Sequence, residues 1–224
     1  MKSYTLFDII GPIMIGPSSS HTAGACRIGY TLHHIIKAPL KSVDFTLYGS
    51  FAKTYVGHGT DLALLGGILG FKPDDKRIVN AKEIARDSGL SFSFKPSSDE
   101  TRHPNTVKIN VITEDGKPWE AIGESIGGGK MQLIQINGID IQFTGAYNTL
   151  ITHHQDTPGM LAQITAVISK HAINIANMKL YRESRGLKAI GIIEMDEDIP
   201  KSAIEQLSVI DGVSYVTLIE RIYE

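Results

Sequence analysis

The chain carries one cysteine, Cys26, among its 224 residues. A single thiol excludes an internal disulfide and the cross-linked framework of small secreted domains. It also excludes an iron–sulfur cluster held by this chain unaided, because such a cluster takes about four cysteine thiolates. Other metal signatures are missing too. There is no HExxH and no paired CxxC, and the histidine pairs His33-His34 and His153-His154 are immediate neighbours. Neighbours point away from each other on a helix and to opposite faces on a strand, so no metal site is expected within this chain. No apolar run approaches the roughly 20 residues of a membrane span. The mildly apolar start, MKSYTLFDIIGPIMIG, is broken by Asp8 and has no small-residue cleavage site. There is no basic excess: 22 Lys and Arg face 24 Asp and Glu, a formal net charge of -2. Neither nucleic acid nor an anionic membrane surface is therefore expected as a partner. The reading is a cytoplasmic globular protein with room for one large domain or two small ones.

What the chain does have is GPSSSHTAGACRIGY, Gly16 to Tyr30. One Ser or Thr is enough to cap a helix N-terminus. Five hydrogen-bonding side chains in succession, Ser18, Ser19, Ser20, His21 and Thr22, suggest a second purpose. Free N–H groups and the positive end of the helix dipole at that position favour an anion.

Beyond the cluster, Ile28, Leu32, Ile35 and Ile36 recur at helical spacing and Pro39 ends the segment. VDFTLYGS reads as a strand, and the Leu-, Ala- and Gly-rich half of FAKTYVGHGTDLALLGGILG as a closely packed core helix. A helix over Ala81 to Arg86, stopped by Gly89, precedes the strands SFSFK and TVKINVITED. A further strand region with a glycine loop in its middle ends near Phe143. The first domain, residues 1–143, is thus a mixed α/β unit. Residues 147–224 follow a second pattern. A strand, YNTLITHHQ, turns at DTPGM into a helix with Leu161, Ile164, Val167 and Ile168 on one face. Two strands joined by SRG form a hairpin, Pro200 sits in the first turn of another helix, and VSYVTLIERIY closes the chain. The order β-α-β-β-α-β is ferredoxin-like, and the whole is α+β.

DTPGML (Asp156 to Leu161), this strand order and INIANM (Ile173 to Met178) resemble an ACT domain. The resemblance implies an amino-acid site at a domain–domain interface, lined by Asp156, Gly159, Met160 and Leu161 with Asn174 and Ile175, and self-association through the module. Gly159 would let backbone approach a ligand and the next helix would offer N–H groups to a carboxylate. The plain alternative is a good turn with Pro and Gly in their usual places.

FDIIGPIMIGPSSSHTAGACRIG, YGSFAKTYVGHGTDLALLGG and RHPNT closely resemble the β-chain of iron–sulfur-dependent L-serine dehydratases, and the similarity covers essentially the whole chain. The resemblance implies an L-serine ammonia-lyase subunit. Its partner is a separate α-chain holding a [4Fe-4S] cluster, and its reaction takes L-serine to pyruvate and ammonia. Ser18 to Thr22 would then hold the substrate carboxylate. His58, between Gly57 and Gly59, is the candidate base, with His21 its rival; neutral imidazole is available near neutral pH. Thr60 and Asp61 would orient the His58 ring, or simply bond it as a local structural feature. His103 and Asn105 would form a supporting or regulatory polar site, although Pro104 favours a plain extended turn there. GGGK, Gly127 to Lys130, lacks the upstream glycine and the Ser/Thr of a phosphate loop and reads as a mobile loop against the α-chain. The alternative is a regulatory amino-acid- or anion-binding protein, since the first domain also resembles the allosteric domain of some phosphoglycerate dehydrogenases.

Overall fold

The computed structural model describes residues 13–99 and 103–221. Asp8, the Phe7–Pro12 part of the N-terminal motif and Arg102 of RHPNT lie outside the described residues. The chain divides into two compact units, Met1–Thr144 and Gly145–Glu224.

In the first unit the sheet consists of β1 (Leu40–Leu47), β2 (Ser91–Pro96), β3 (Thr106–Thr113), β4 (Pro118–Gly127), β5 (Lys130–Ile136) and β6 (Ile139–Phe143). Their order is β2-β1-β3-β4-β5-β6; β1 and β2 run parallel and the remaining neighbours antiparallel. Alternation along β1 buries Val43, Phe45 and Leu47 on one face, in register with Val111, Ile109 and Val107 of β3. The strand expected to reach Ser50 stops at Leu47. Tyr48 is still extended, but Gly49 adopts φ +54 and opens the short helix α2 (Gly49–Thr54).

The Ser18–Gly24 region is wound more widely than an ordinary helix start. Ser19–Gly24 forms a π-helical turn that runs directly into α1 (Ala25–Ile36). Ile28, Leu32 and Ile35 of α1 are buried, each worth about 1.5–3 kcal/mol relative to exposure. A Cβ on Gly123 of β4 would lie 2.5 Å from Ile28 Cγ2, so glycine at that strand position lets the helix settle on the sheet. α3 (Thr60–Ile68) is apolar on all sides, as befits a fully enclosed helix, and only Leu62 escapes burial. Its approach to α1 is set by two glycines. A Cβ on Gly29 would meet Leu64 O at 2.4 Å, and one on Gly67 would meet Cys26 O at 2.1 Å. Backbone thus packs on backbone where the two helices cross. A 3₁₀ turn, Lys76–Asn80, leads into α4 (Ala81–Asp87).

The second unit is a two-layer α/β sandwich: β7 (Asn148–Gln155), α5 (Met160–Lys170), β8 (Ile175–Arg182), β9 (Lys188–Met195), α6 (Lys201–Ser208) and β10 (Val213–Ile219). The sheet is antiparallel in the order β10-β7-β9-β8. Its core joins Leu150, Ile193 and Met195 of the sheet to Ile164, Ile168, Ala203 and Leu207 of the helices. Met160, rather than Leu161, completes the buried stripe of α5, since the helix begins one residue earlier than its pattern suggested. Pro200 stands before α6 at the cap position, with extended ψ 152, instead of within the first turn. No helix among the described residues is long and apolar enough to cross a membrane.

Candidate functional site

The serine-rich turn is held from both sides. Ser18 is extended (φ -139, ψ 124) and caps the π-helical turn: its Oγ accepts from His21 N at 3.1 Å and its carbonyl accepts from Thr22 N at 2.8 Å. A Cβ on Gly16, at φ +143, would fall 2.4 Å from Thr22 Cγ2, so that position takes glycine for both conformation and space. On the other side the fully buried Ser125 of β4 donates to Ser20 O at 2.8 Å, and Gly24 leaves room for it. π-helical turns are uncommon and recur at functional sites.

Three separated stretches meet on this turn. His21 Nε2 lies 3.0 Å from Ser50 Oγ of α2, and Thr22 Oγ1 donates to His58 O at 3.1 Å. The rings of His21 and His58 are 4.8 Å apart and inclined at 70°, with Phe51 edge-on to His21 at 5.4 Å. The HPNT segment clamps the arrangement from a third direction. Pro104 O accepts from Ser50 N at 2.6 Å, and Asn105 O accepts from Ser125 N at 2.9 Å. His103 Nδ1 accepts from Asn105 N at 3.2 Å, and Thr106 Oγ1 donates to His103 O at 2.6 Å. His103 and Asn105 therefore build the turn that seats α2 and β4 against the serine stretch.

Burial lowers the His21 pKa, and the neighbouring His58 lowers it further, so His21 is neutral at neutral pH. His58 is half-buried. Its Nδ1 is shut away from solvent with no hydrogen-bond partner, and none of the described residues bonds its other ring nitrogen. The expected pairing of His58 with Thr60 or Asp61 does not form. Asp61 is buried and turns to Lys82 Nζ of α4 and to Leu62 N, 2.9 Å away. It accepts from a free N–H in the first turn of α3 and pins that helix to α4. Thr60 Oγ1 is buried without a partner. What remains around the turn is a set of neutral donors, Ser18, Ser19 and Ser20 with their backbone N–H groups, beside two imidazoles. Such a set suits a carboxylate and a proton transfer.

Among the described residues no three His, Cys, Asp or Glu side chains gather in a way that could hold a metal ion. Burial pushes the Cys26 thiol up to about 12, and its Sγ donates to Phe71 O at 3.2 Å. It is a packed thiol, unsuited to ligation. The His33 and His34 rings do approach, at 5.3 Å, although adjacent helical residues were expected to diverge. Their Nδ1 atoms nevertheless go to different carbonyls, Ile68 O at 2.8 Å and Tyr30 O at 2.9 Å.

The six residues expected in the ACT module fall into two groups. Asp156, Gly159, Met160 and Leu161 line a cleft of about 210 Å³ with His154 and Leu180. Asp156 Oδ2 is already engaged by Gly186 N at 3.1 Å and Arg182 Nη1 at 3.3 Å, which hold its carboxyl below the usual range. Asn174 and Ile175 line a second groove that runs along α5 past Ala162, Thr165 and Ser169, where Asn174 Nδ2 donates to Asp196 Oδ2 at 2.6 Å and Asn174 N to Glu197 Oε2 at 2.7 Å. The two cavities adjoin, since Ala162 of α5 lines both.

Ser50 and Ser125 were missed as site residues. Each is a lone hydroxyl, and only the glycine beside Ser50 and the conformation it takes would have drawn attention to it.

Known proteins match this chain closely. Residues 5–134 match the family described as serine dehydratase beta chain, and residues 148–212 the ACT domain. The chain is 41% identical over 219 residues to an L-serine dehydratase, beta chain, of Peptoniphilus asaccharolyticus, covering 97% of each. It is 40% identical to a probable L-serine dehydratase, beta chain, of Bacillus subtilis (strain 168), covering 98% of this chain and 99% of that one. A D-3-phosphoglycerate dehydrogenase of the same organism is 29% identical over 88% of this chain but 37% of its own. With a family match across most of the first unit and full-length relatives at this identity, the chain belongs to the serine dehydratase β-chain family.

Proposed function

We propose that this chain is the β-subunit of an iron–sulfur-dependent L-serine dehydratase, in which a separate α-chain holds a [4Fe-4S] cluster and the two together convert L-serine to pyruvate and ammonia. The observation that carries the reading is the convergence of the Ser18–Thr22 turn, Ser50 and an imidazole with no hydrogen-bond partner, His58, in one place. With a single cysteine, this chain would leave the cluster's thiolate ligands to the partner. Bound there, the cluster supplies a Lewis-acidic iron for the departing hydroxyl.

This chain's own part is binding and proton transfer. The substrate carboxylate sits at the start of the π-helical turn, held by Ser18, Ser19 and Ser20 and their N–H groups. His58 takes the α-proton as the β-hydroxyl departs with its bonding pair, and returns that proton to it as water, giving the enamine of pyruvate. That enamine tautomerises to the imine, and water returns to release ammonia and pyruvate. His21, neutral and bonded to Ser50, stands against His58 and limits its rotation. The ACT unit associates with a second copy and answers an amino-acid effector there.

The test is anaerobic co-purification with this chain tagged. A cysteine-rich brown partner and pyruvate release from L-serine are expected. In that complex His58→Asn should cut turnover by roughly 10²–10⁴-fold, the usual worth of a general base, with cluster content unchanged. The 29% relative keeps a second reading in view, a regulatory amino-acid-binding protein. It would be favoured by a colourless eluate, without such a partner, from cells shown to make one.

A further inference from the structure

We propose that Ser50 is a positioning residue of this site, fixing the tautomer of His21 so that the Ser18 hydroxyl keeps a proton for a bound carboxylate. The inference rests on the carboxylate assignment above. It follows from counting protons. A neutral imidazole has one N–H and one lone pair, and each serine hydroxyl has one proton and two lone pairs. His21 stands between two hydroxyls, Ser18 Oγ at 3.4 Å from Nδ1 and Ser50 Oγ at 3.0 Å from Nε2.

Two arrangements satisfy the pair. In the first, Nε2–H donates to Ser50 and the Ser18 hydroxyl donates inward to Nδ1, leaving Ser18 nothing to give an anion. In the second, the Ser50 hydroxyl donates to Nε2, and Nδ1–H donates to Ser18 Oγ. Ser18 then accepts twice, from Nδ1 and from His21 N at 3.1 Å, and its own proton points outward. The surroundings of Ser50 favour the second. Its N–H is tied to Pro104 O at 2.6 Å and its carbonyl accepts from Thr54 Oγ1 at 2.9 Å, so the residue is fixed with Oγ toward His21. Among the described residues Nε2 of His21 is the sole hydrogen-bond partner of that hydroxyl. Burial and the nearby His58 keep the imidazole neutral, so the choice of tautomer is a real one.

Long-range proton–nitrogen NMR on the full chain reads the tautomer directly. At pH 7.5 His21 should be protonated on Nδ1, should switch to Nε2 in Ser50→Ala, and should stay on Nδ1 in Ser50→Thr, which keeps the hydroxyl. An Nε2–H tautomer in the native chain, or no change in Ser50→Ala with a native-like amide spectrum, overturns the proposal. This arm needs no turnover, so it decides even where the dehydratase assignment fails. In the assembled enzyme, Ser50→Ala should raise KM for L-serine roughly tenfold with kcat little changed, the signature of lost uniform binding. Ser50→Thr should restore it. Ser18→Ala should match Ser50→Ala, and the double variant should be no worse than Ser18→Ala, because both lose the same donor. Additive losses would refute the coupling.

Discussion

Replacing Gly67 by alanine tests whether the α1–α3 crossing holds the histidines in register. In isolation the change favours the helix, since alanine is better than glycine in a helix interior by about 1 kcal/mol. Here the new methyl would meet Cys26 O at 2.1 Å, Tyr30 N at 2.6 Å and Cys26 C at 3.0 Å. All three are backbone atoms of α1, so no side chain can swing aside, and the shortfall from ordinary contact exceeds an ångström. The helices must part. Overpacking of this kind costs about 1–3 kcal/mol, and more where backbone is the obstacle. Separation also loosens Leu32, Leu64 and Ile68, which are buried at 0–1% exposure. The steric cost outweighs the propensity gain, for a net loss of about 2 kcal/mol. At roughly 2–4 °C per kcal/mol for a chain of this size, Tm should fall by about 4–8 °C. Catalysis should suffer more than stability. His58 lies two residues before α3 and Cys26 five after His21, so a shift of about 1 Å between the helices can cost on the order of 10²-fold. The assays are thermal unfolding of the chain and kcat/KM of the assembled enzyme. A Gly67→Ala chain as stable as the native one, or more so, would show that helix propensity wins and that the close approach is not a constraint.

Other consequences can be checked alongside. Ser18→Ala should destabilise the chain by about 1 kcal/mol through the lost cap, seen as a lower urea midpoint at unchanged slope. Lys82→Met should cost about 2–3 kcal/mol, because it leaves the Asp61 carboxylate buried and unpaired. That lies below the usual cost of a broken buried pair since Lys82 is a third exposed; Asp61→Asn in the same background should recover part of it. Burial depresses the pKa of His21, His33, His153 and His154 below 6.5. The unfolded chain therefore binds more protons below that value, and stability, full above about pH 6.5, should fall as pH drops toward 5. A urea midpoint that is flat or rises over that range would contradict their burial.

The two units were legible for different reasons. In the second, hydrophobic alternation and a TPG turn act over short distances, and β7, α5, β8 and β9 fall where those patterns place them. The α5 stripe slipped by one residue because Gly159, at φ +85, lets the helix begin at Met160. In the first unit α3 could be read as a core helix because a segment apolar on all sides has nowhere else to go. The cap on the serine stretch was equally readable, yet its π-helical pitch was not. That pitch is tied to Thr22 packing on Gly16 and to Ser125 reaching Ser20 O from a strand 105 residues away in sequence. The same limit explains Asp61. Three residues after His58 in sequence, it was expected to orient or bond the imidazole, but α3 carries its side chain toward Lys82 of α4, and the histidine ring goes to His21 instead. Local sequence names the residues able to do chemistry, whereas β1, β3 and β4 decide which of them meet. Tyr48 N bonds Thr106 O and Ser125 N bonds Asn105 O, so the ends of all three strands arrive together beneath the serine stretch. Ser50 enters the site by that route, as the second residue after the end of the β1 ladder's last extended position, Tyr48. A hydroxyl positioned in this way carries no signature of its own in the sequence, and its role becomes visible only when His21 is seen to need a partner for Nε2.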